Sequence, residues 1–559
     1  MPRVIELLRQ GRNEELWQMC CGFLSLGIRE FMKIQNSLLL EQMNLLSDCP
    51  LGKKIMRGAR PQTVEEFRQL PLTTYSDYCP ELLEKNEEVL CQKPDTWART
   101  SGRSGEYECR WIPISPTFAH ELSAIMYGVG IISGCKHWHD YSNIPEHLRM
   151  FYSVAPRPYM SGAMTRMLEQ QVPVHNMPNP GDAEGLSFED RIRLGLKQAL
   201  SQGIDYFFGM AVALVSIGEK FSQSSNNVNL RPLLLQPKAL LRLARGLVRS
   251  KIAGRRMLPR DLWSVKGIIC TGVDSWAYRD KIKEFWGRYP LDVYAGTEGG
   301  IIATQTWDYD GMTFIPNLNF LEFIPEEERL KWEMDHSYRP KTLLLDEVET
   351  GQDYEIVITN FHGGALVRYR VGDLIRIVSL RNEKLGIATP QMVFERRVDG
   401  VINFVVVQLT EKQIWQSIEA LDIEYEDWTA YKQPGESLLH LFIEPKNGYH
   451  GNGADIAAVI RKRLIRVNED RKDTTGVLED LTDMFDFQVE VTLLPAGTYA
   501  SYTTRRQAEG ADLAHLKPPH LNPSEEVLGL LLSHTEETIV ITKSRNNVES
   551  VNKTEKTAV

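Results

Sequence analysis

The chain has 559 residues, 25% of them charged and 42% hydrophobic, so it exceeds the size at which one core normally stops growing and has the composition of an ordinary globular protein. Two or more domains are expected. The formal net charge of -10 excludes a general nucleic-acid binder, whose affinity rests on many Lys and Arg contacts to phosphates, so an anionic ligand would need a local basic site.

The start MPRVIELLRQGRNEELW lacks the apolar run and small-residue cleavage site of a secretory signal, and a cytoplasmic location is expected. Over the first 50 residues Leu16, Met19, Phe23 and Leu26 recur at helical spacing, which predicts a helical lead-in over 1–60. Thr63, followed by Glu65 and Glu66, reads as a helix cap. From about 115 to 300, helical segments alternate with short apolar runs such as VKGIICTG (265–272) and LDVYAG (291–296), the pattern of an α/β layered domain. In open α/β sheets ligands gather beyond the carboxyl ends of the strands, so the site is expected there. The most apolar window, IDYFFGMAVALVSIG (204–218), is too short for a membrane span and carries Asp205; it reads as a buried helix. Between 301 and 380 the segments TFIPNLNFLEFIP, KTLLLDEV and YEIVITNF predict a β-rich subdomain. ERRVDG marks a boundary, giving a large domain over 1–398, a smaller α/β domain over 399–532 and a polar tail over 533–559. The eight cysteines, from Cys20 to Cys270, include no CxxC spacing and read as reduced thiols.

Three segments have the composition of a nucleotide site. Thr100-Ser101-Gly102-Arg103-Ser104-Gly105, followed by Arg110, combines glycines that turn backbone N–H groups inward with hydroxyls and a cation, which suits a polyphosphate. The Walker spacing is absent, and a solvent loop fits the composition as well. Tyr294-Ala295-Gly296-Thr297-Glu298-Gly299-Gly300 follows an apolar strand; its backbone allows close approach, and Glu298 would suit Mg²⁺, although an ordinary turn also fits. Tyr369-Arg370-Val371-Gly372-Asp373 offers a carboxylate able to accept from both hydroxyls of a ribose, or else a surface Arg–Asp pair.

Taken in order, TSGRSG, YAGTEGG, YRVGD, ERRVDGVINF and HLKPP resemble the adenylate-forming superfamily of acyl-CoA synthetases, adenylation domains and luciferases. Within it the chain is most similar to the auxin-responsive acyl acid amido synthetases, including their bacterial members, over roughly 60 to 520. The resemblance implies a large amino-terminal ATP-binding domain, a small mobile carboxyl-terminal domain, and a ligase that uses ATP and Mg²⁺ to adenylate a carboxylic acid. The acyl group would pass to an amino acid or other amine; CoA as acceptor and a silent ligand-binding relative are the alternatives. It further implies that Ser101, Gly102, Ser104 and Gly105 wrap the β- and γ-phosphates with Thr100 and Arg110 beside them. Thr271, Gly272, Val273, Tyr294 and Ala295 would lie against adenine, with Gly296 and Thr297 at phosphate, Glu298 on Mg²⁺, and Asp373 and Arg397 at ribose. Arg370 and Lys517 would be catalytic and Asp399 the hinge.

Arg103 and Arg110 stand where the family usually has Thr and Lys, and GTEGG departs from the form common in the plant enzymes. In CKHWHDY (135–141), His137 and His139 would share a face if the segment were a strand, but two ligands make no metal site; a satisfied polar cluster or acyl-pocket wall is expected. Tyr127, Trp138, Tyr152 and Met160 are candidates for an acyl pocket. The stretch 231–260, rich in Arg and Lys, reads as a helix with a solvated basic face, its apolar side formed by Leu233, Leu240, Leu243, Leu247 and Ile252.

Overall fold

The structure is a computed structural model that describes residues 3–100, 109–144, 146–152, 157–183, 186, 188–224, 236–271, 275–398, 401–404, 408–421, 423–433, 436–446, 451–469, 488–508, 520–523 and 525–532. The chain divides into two compact units, Met1–Asp399 and Gly400–Val559. The first is built on one sheet of eleven strands. In spatial order they are Asn319–Pro325, Asp353–Asn360, Tyr369–Ser379, Gln391–Arg397, Met312–Phe314, Gly300–Thr304, Leu291–Gly296, Gly267–Thr271, Tyr206–Gly209, Leu148–Tyr152 and Val174–Met177.

The sheet has two halves of different physics. From Leu291–Gly296 to Val174–Met177 all neighbours run parallel, and from Leu291–Gly296 to the other edge all run antiparallel. Parallel strands need crossover helices that cover both faces, which is why the runs GIICT and YFFG are almost continuously apolar and buried. The helix Pro116–Gly134, which precedes the first strand of this sheet in the chain, opens with proline in its first turn, and Ser115 Oγ accepts from Phe118 N at 3.1 Å. Fifteen of its residues are buried, so the helix is apolar all round.

The lead-in is helical as expected, with Val4–Arg9, Asn13–Cys21, Ile28–Asp48 and Pro50–Ile55. Thr63 caps Val64–Phe67 by accepting from Glu66 N. The long helix Ile28–Asp48 buries Phe31, Met32, Leu39, Met43 and Leu46 at three-and-four spacing, and two glutamines on the same face pin it to the sheet. Gln35 donates to Asn319 O at 2.7 Å and accepts from Leu321 N at 2.9 Å, which pairs backbone groups of the edge strand that would otherwise template aggregation. Gln42 donates to Gly364 O and accepts from Gly363 N.

Two local expectations are corrected. The window 204–218 is a strand, Tyr206–Gly209, followed by a helix, Ala211–Ser224, because Gly209 and the parallel register of YFFG against Gly267–Cys270 split one apolar run into two elements. KTLLLDEV forms no ladder strand; only Leu343 bridges to Phe323. Among the described residues no helix is long and apolar enough to cross a membrane.

The second unit carries a three-stranded sheet in which Tyr425–Lys432 pairs antiparallel with Leu438–Pro445, which runs parallel to Gln488–Leu493. Helices Glu411–Glu419 and Gly453–Glu469 contribute Ile414, Ile418, Ile456, Ile460 and Leu464 to a core around the buried Trp428. His520, from the late segment HLKPPH, stacks on Trp428 with ring centroids 4.4 Å apart and bridges Asp427 (2.9 Å) and Glu411 (2.6 Å). Asp427, and secondarily Glu411, raises the His520 pKa above its ordinary value against the opposing effect of burial. The stabilisation from this pair of contacts is therefore complete below the unfolded value of about 6.5 and is lost as pH rises through the higher folded value. The melting temperature of the full chain should fall as pH rises through that range, and His520→Gln should flatten the dependence; an equally steep profile in the variant would remove His520 as its source.

Candidate active site

The turn that joins the parallel and antiparallel halves is Thr297-Glu298-Gly299, between the strands Leu291–Gly296 and Gly300–Thr304. Its backbone is held from behind by two buried asparagines. Asn360 Nδ2 donates to Glu298 O at 2.9 Å and to Asn319 Oδ1 at 2.9 Å, while Asn319 Nδ2 donates to Gly299 O at 2.7 Å. Gly300 adopts φ +64, and a Cβ there would press on Leu122 and Phe118 at 3.1 and 3.3 Å, so the turn demands glycine for both space and conformation.

Around this turn the structure gathers polar groups from three segments. Arg110 Nη1 donates to Tyr369 Oη at 3.0 Å and lies 3.9 Å from Glu298 Oε1. Thr100 pairs with Arg110 through its backbone, its N–H donating to Arg110 O at 3.0 Å, and its hydroxyl accepts from Arg110 N at 3.3 Å. Tyr294 Oη donates to Asp373 Oδ2 at 2.8 Å, and Arg397 Nε stands 3.5 Å from Asp373 Oδ1. Burial, and then the Asp373 carboxylate, push the Tyr294 phenol well above its ordinary pKa; burial and Glu298 do the same to Tyr369. Both phenols stay protonated donors at neutral pH. Gly372, at φ +80, turns the strand so that Asp373 faces Tyr294 and Arg397.

Arg370 is not brought into this group. Along the strand Tyr369–Ser379 it points to the face opposite Tyr369, where its guanidinium donates twice to the buried Glu355, at 2.8 and 2.6 Å, and lies 3.9 Å from the Trp332 ring centroid. Ser101, Gly102, Arg103, Ser104, Gly105, Gly272, Val273, Asp399 and Lys517 lie outside the described residues. The residues that follow Lys517 are anchored within the second unit, where Ala430 N donates to His520 O at 2.7 Å and Asn522 N to Ala430 O at 2.8 Å.

A pocket, partly open to solvent, lies beside the same strands. Its wall is apolar, with Met126, Met150, Met164, Leu168 and Phe208, and two phenols, Tyr127 and Tyr206, complete it. Thr271, Val293 and Ala295 also line it. Among the described residues no cationic or anionic side chain lines it. Of the four aromatic and methionine candidates for such a pocket, Tyr127 is on the wall; Trp138 packs instead with Trp17 and Trp307. His139 belongs to that aromatic cluster, with Nδ1 2.9 Å from Tyr141 Oη, in a loop rather than a strand. Among the described residues no group of three or more His, Cys, Asp or Glu could hold a metal by itself.

Sequence reasoning gave no role to Tyr369, Asn319 or Asn360. Tyr369 stands inside YRVGD, and its alternation with Arg370 was the available signal; the asparagines carry none, since a buried amide at a strand end is visible only once its partners are placed.

Residues 312–397 match the GH3 family central domain. The family resemblance holds. That GH3 segment contains the strands that supply Asn319, Asn360, Tyr369, Asp373 and Arg397. Curated relatives include the 4-substituted benzoates-glutamate ligase GH3.12 of Arabidopsis thaliana, 26% identical over 244 residues, 41% of this chain and 39% of that protein. The jasmonoyl-L-amino acid synthetase JAR4 of Nicotiana attenuata is 33% identical over 149 residues, 26% of this chain and 24% of that protein. The chain thus matches less than half the length of these relatives. A solved structure, the AtGH3.15 acyl acid amido synthetase in complex with 2,4-DB, covers 92% of this chain and 95% of its own with a TM-score of 0.51 at 16% identity, a likeness of fold.

The asparagine pair gives a test of how the turn Thr297-Glu298-Gly299 is held. Asn360→Leu would leave Glu298 O and Asn319 Oδ1 without their buried donor, and a loss of about 1–3 kcal/mol in urea-unfolding free energy is expected.

Proposed function

We propose that this chain is an ATP-dependent, AMP-forming ligase that adenylates a carboxylic acid with an apolar acyl group and transfers the acyl group to an amino acid or other amine. One observation carries the reading. Along Leu291–Gly296 successive side chains alternate, so that Val293 and Ala295 line the apolar cavity while Tyr294 faces Asp373, and the strand then delivers Glu298. A single strand therefore separates an apolar cavity from a cluster suited to a nucleotide. The GH3 central domain and the names of the relatives support the same assignment.

The residues present fit the two groups the reaction needs. Asp373 offers carboxylate oxygens to a ribose diol, with Arg397 and the Tyr294 hydroxyl fixing its orientation. Arg110, only 18% exposed in its side chain, supplies a partly desolvated cation toward phosphate, and Glu298 the carboxylate for Mg²⁺, which ordinarily takes one or two carboxylates plus phosphate oxygens. When bound, Mg²⁺ would neutralise charge on the phosphates. Thr100, Ser101, Gly102, Ser104 and Gly105 are the proposed phosphate loop, Thr271, Gly272, Val273 and Ala295 the adenine wall, and Gly296 and Thr297 the phosphate edge of the turn.

In the first half-reaction a carboxylate oxygen would attack the α-phosphorus, forming the acyl-phosphate bond as pyrophosphate leaves. Two anions must meet, so cations should dominate: Arg110 on the first unit, with Lys517 the proposed late lysine of the adenylation step. The amine would then attack the acyl carbon, lose a proton and release AMP. Asp399, at the boundary between the two units, is the proposed hinge between these halves. Arg370 enters as a brace, through Glu355, for the strand that carries Tyr369 and Asp373.

ATP–pyrophosphate exchange across a panel of aromatic and aliphatic acids tests the reading. Acid-dependent exchange that falls on the order of 100-fold in Glu298→Ala is expected; ATP binding with no exchange for any acid would instead indicate a silent relative. AMP release stimulated by amino acids and not by CoA would fix the acceptor, and the reverse result would make the chain a CoA ligase.

Gly130 tests the cavity. It lies on the cavity wall, and a Cβ there meets nothing within 4 Å. Gly130→Leu should lower kcat/KM for the bulkiest accepted acid by roughly 10- to 100-fold while sparing the smallest acid and the KM for ATP; a uniform loss across acids would place the acyl group elsewhere.

A further inference from the structure

Two thiols in the first unit lie closer together than packing alone requires. Cys49 Sγ and Cys91 Sγ are 2.8 Å apart, within hydrogen-bond reach with either sulfur as donor, although the residues are 42 apart in the chain. A disulfide needs an S–S distance of about 2 Å, so the sulfurs would have to approach by less than ~1 Å. Cys49 also accepts from Gly52 N at 3.4 Å, and its side chain is set by its place as the cap of Pro50–Ile55. The thiol of Cys91 and the N–H of Gly52 stabilise the anionic form, and the pKa of Cys49 drops to about 7 against the opposing effect of its burial. Cys91 is raised in turn, first by that same hydrogen bond, as the partner that keeps its proton.

The other buried thiols differ. Cys20, Cys21, Cys135 and Cys270 are all pushed up by desolvation and would be inert to oxidants at neutral pH. Cys49 is 6% exposed and Cys91 is half-buried, so the pair is not sealed from solvent.

We propose that Cys49 and Cys91 are a redox modification site, a dithiol that a peroxide converts reversibly to an intramolecular disulfide. The Cys49 thiolate sulfur attacks one peroxide oxygen, the O–O bond breaks, and hydroxide leaves, giving a sulfenic acid on Cys49. The Cys91 sulfur then attacks the Cys49 sulfur, the S–S bond forms, and the S–O bond breaks. Its oxygen leaves as water after taking up the Cys91 proton. Two thiols and one peroxide give one disulfide and two waters, and a dithiol reductant reverses the change. The inference is independent of the ligase assignment.

The location gives the bond a structural effect. Cys91 precedes the strand Thr96–Arg99, which pairs with Trp111–Ile114, and this hairpin holds Thr100 and Arg110 in register. Cys49 begins the helix that follows Ile28–Asp48. The disulfide would tie the base of the hairpin covalently to the helical lead-in.

The test treats the full chain with a few equivalents of hydrogen peroxide, then counts thiols in denaturant and maps peptides by mass spectrometry. The count should fall from the eight cysteines of the sequence to six, with a peptide pair joining Cys49 to Cys91 and about 2 Da lost, restored by dithiothreitol. The apparent melting temperature should rise on oxidation of the wild type. In Cys91→Ser the oxidised protein should carry a Cys49 sulfenic acid that dimedone captures, and its melting temperature should not rise. Eight thiols remaining, a cross-link between other cysteines, or sulfinic acid on Cys49 without a cross-link would each overturn the proposal.

Discussion

The site depends on a buried ion pair that touches no part of it. Arg368, 4% exposed, donates to both oxygens of Glu322, 1% exposed, at 3.0 and 2.8 Å, and to Thr342 Oγ1 and the carbonyls of Arg68 and Leu70. Every donor of that guanidinium is used on groups from separate parts of the unit, including the edge strand, the loop after it and the segment that follows the lead-in. An ion pair so enclosed contributes little net stability against apolar packing, since desolvation offsets its attraction. What it does is fix position. Arg368 sits at φ +44, a conformation that L residues rarely adopt, and its N–H is held by Thr359 Oγ1 at 2.7 Å. The next residue is Tyr369, so the strained turn sets where the phenol facing Arg110 begins its strand.

A second buried pair repeats the arrangement two residues on. Arg370 and Glu355 occupy the same face as Arg368 and Glu322, so the strand has its charge-paired face turned away from the site and Tyr369 and Asp373 turned toward it. Thr73 joins them from the edge, accepting from Arg370 N and donating to Arg368 O. The site side of the strand then needs only one carboxylate and one phenol, each oriented by a cation from elsewhere in the unit. Charge for the fold and charge for the ligand are kept on opposite faces of one strand, and neither set has to compromise its geometry for the other.

This separation explains what could be read in the sequence. The order of the motifs, the helical lead-in and the alternation of helix with apolar runs are local patterns, and they identified the fold and the segments of the site. Glu298, Tyr294 and Asp373 drew attention because each lies in a short run that contains glycine, Glu298 before Gly299, Tyr294 two residues before Gly296 and Asp373 after Gly372. Arg370 pairs with Glu355 apart from Tyr369 and Asp373, because a motif records neighbours in sequence whereas strand geometry sends neighbours to opposite faces. Asn319 and Asn360 were invisible because their partners are backbone atoms of a turn 20 and 62 residues away. The run 204–218 misled for the converse reason: apolar continuity shows burial, but only the turn at Gly209 and pairing with Gly267–Thr271 decide between strand and helix.

The same logic bears on how an acid would be recognised. A cavity without ionised side chains can select an acyl group by size and shape alone, and it opposes a second charge on the substrate because no counter-ion would meet it there. The carboxylate must then stay at the mouth, where Thr271 and Ala295 border both the cavity and the strand ends. On the proposed reading, a substrate placed by its apolar part would present its carboxylate toward Arg110, the cation of the cluster formed with Glu298. The wall around Met126, Met164 and Leu168 would then set which acid fits, while Thr271 and Ala295, shared between the cavity and the proposed adenine wall, would couple the acid to the nucleotide.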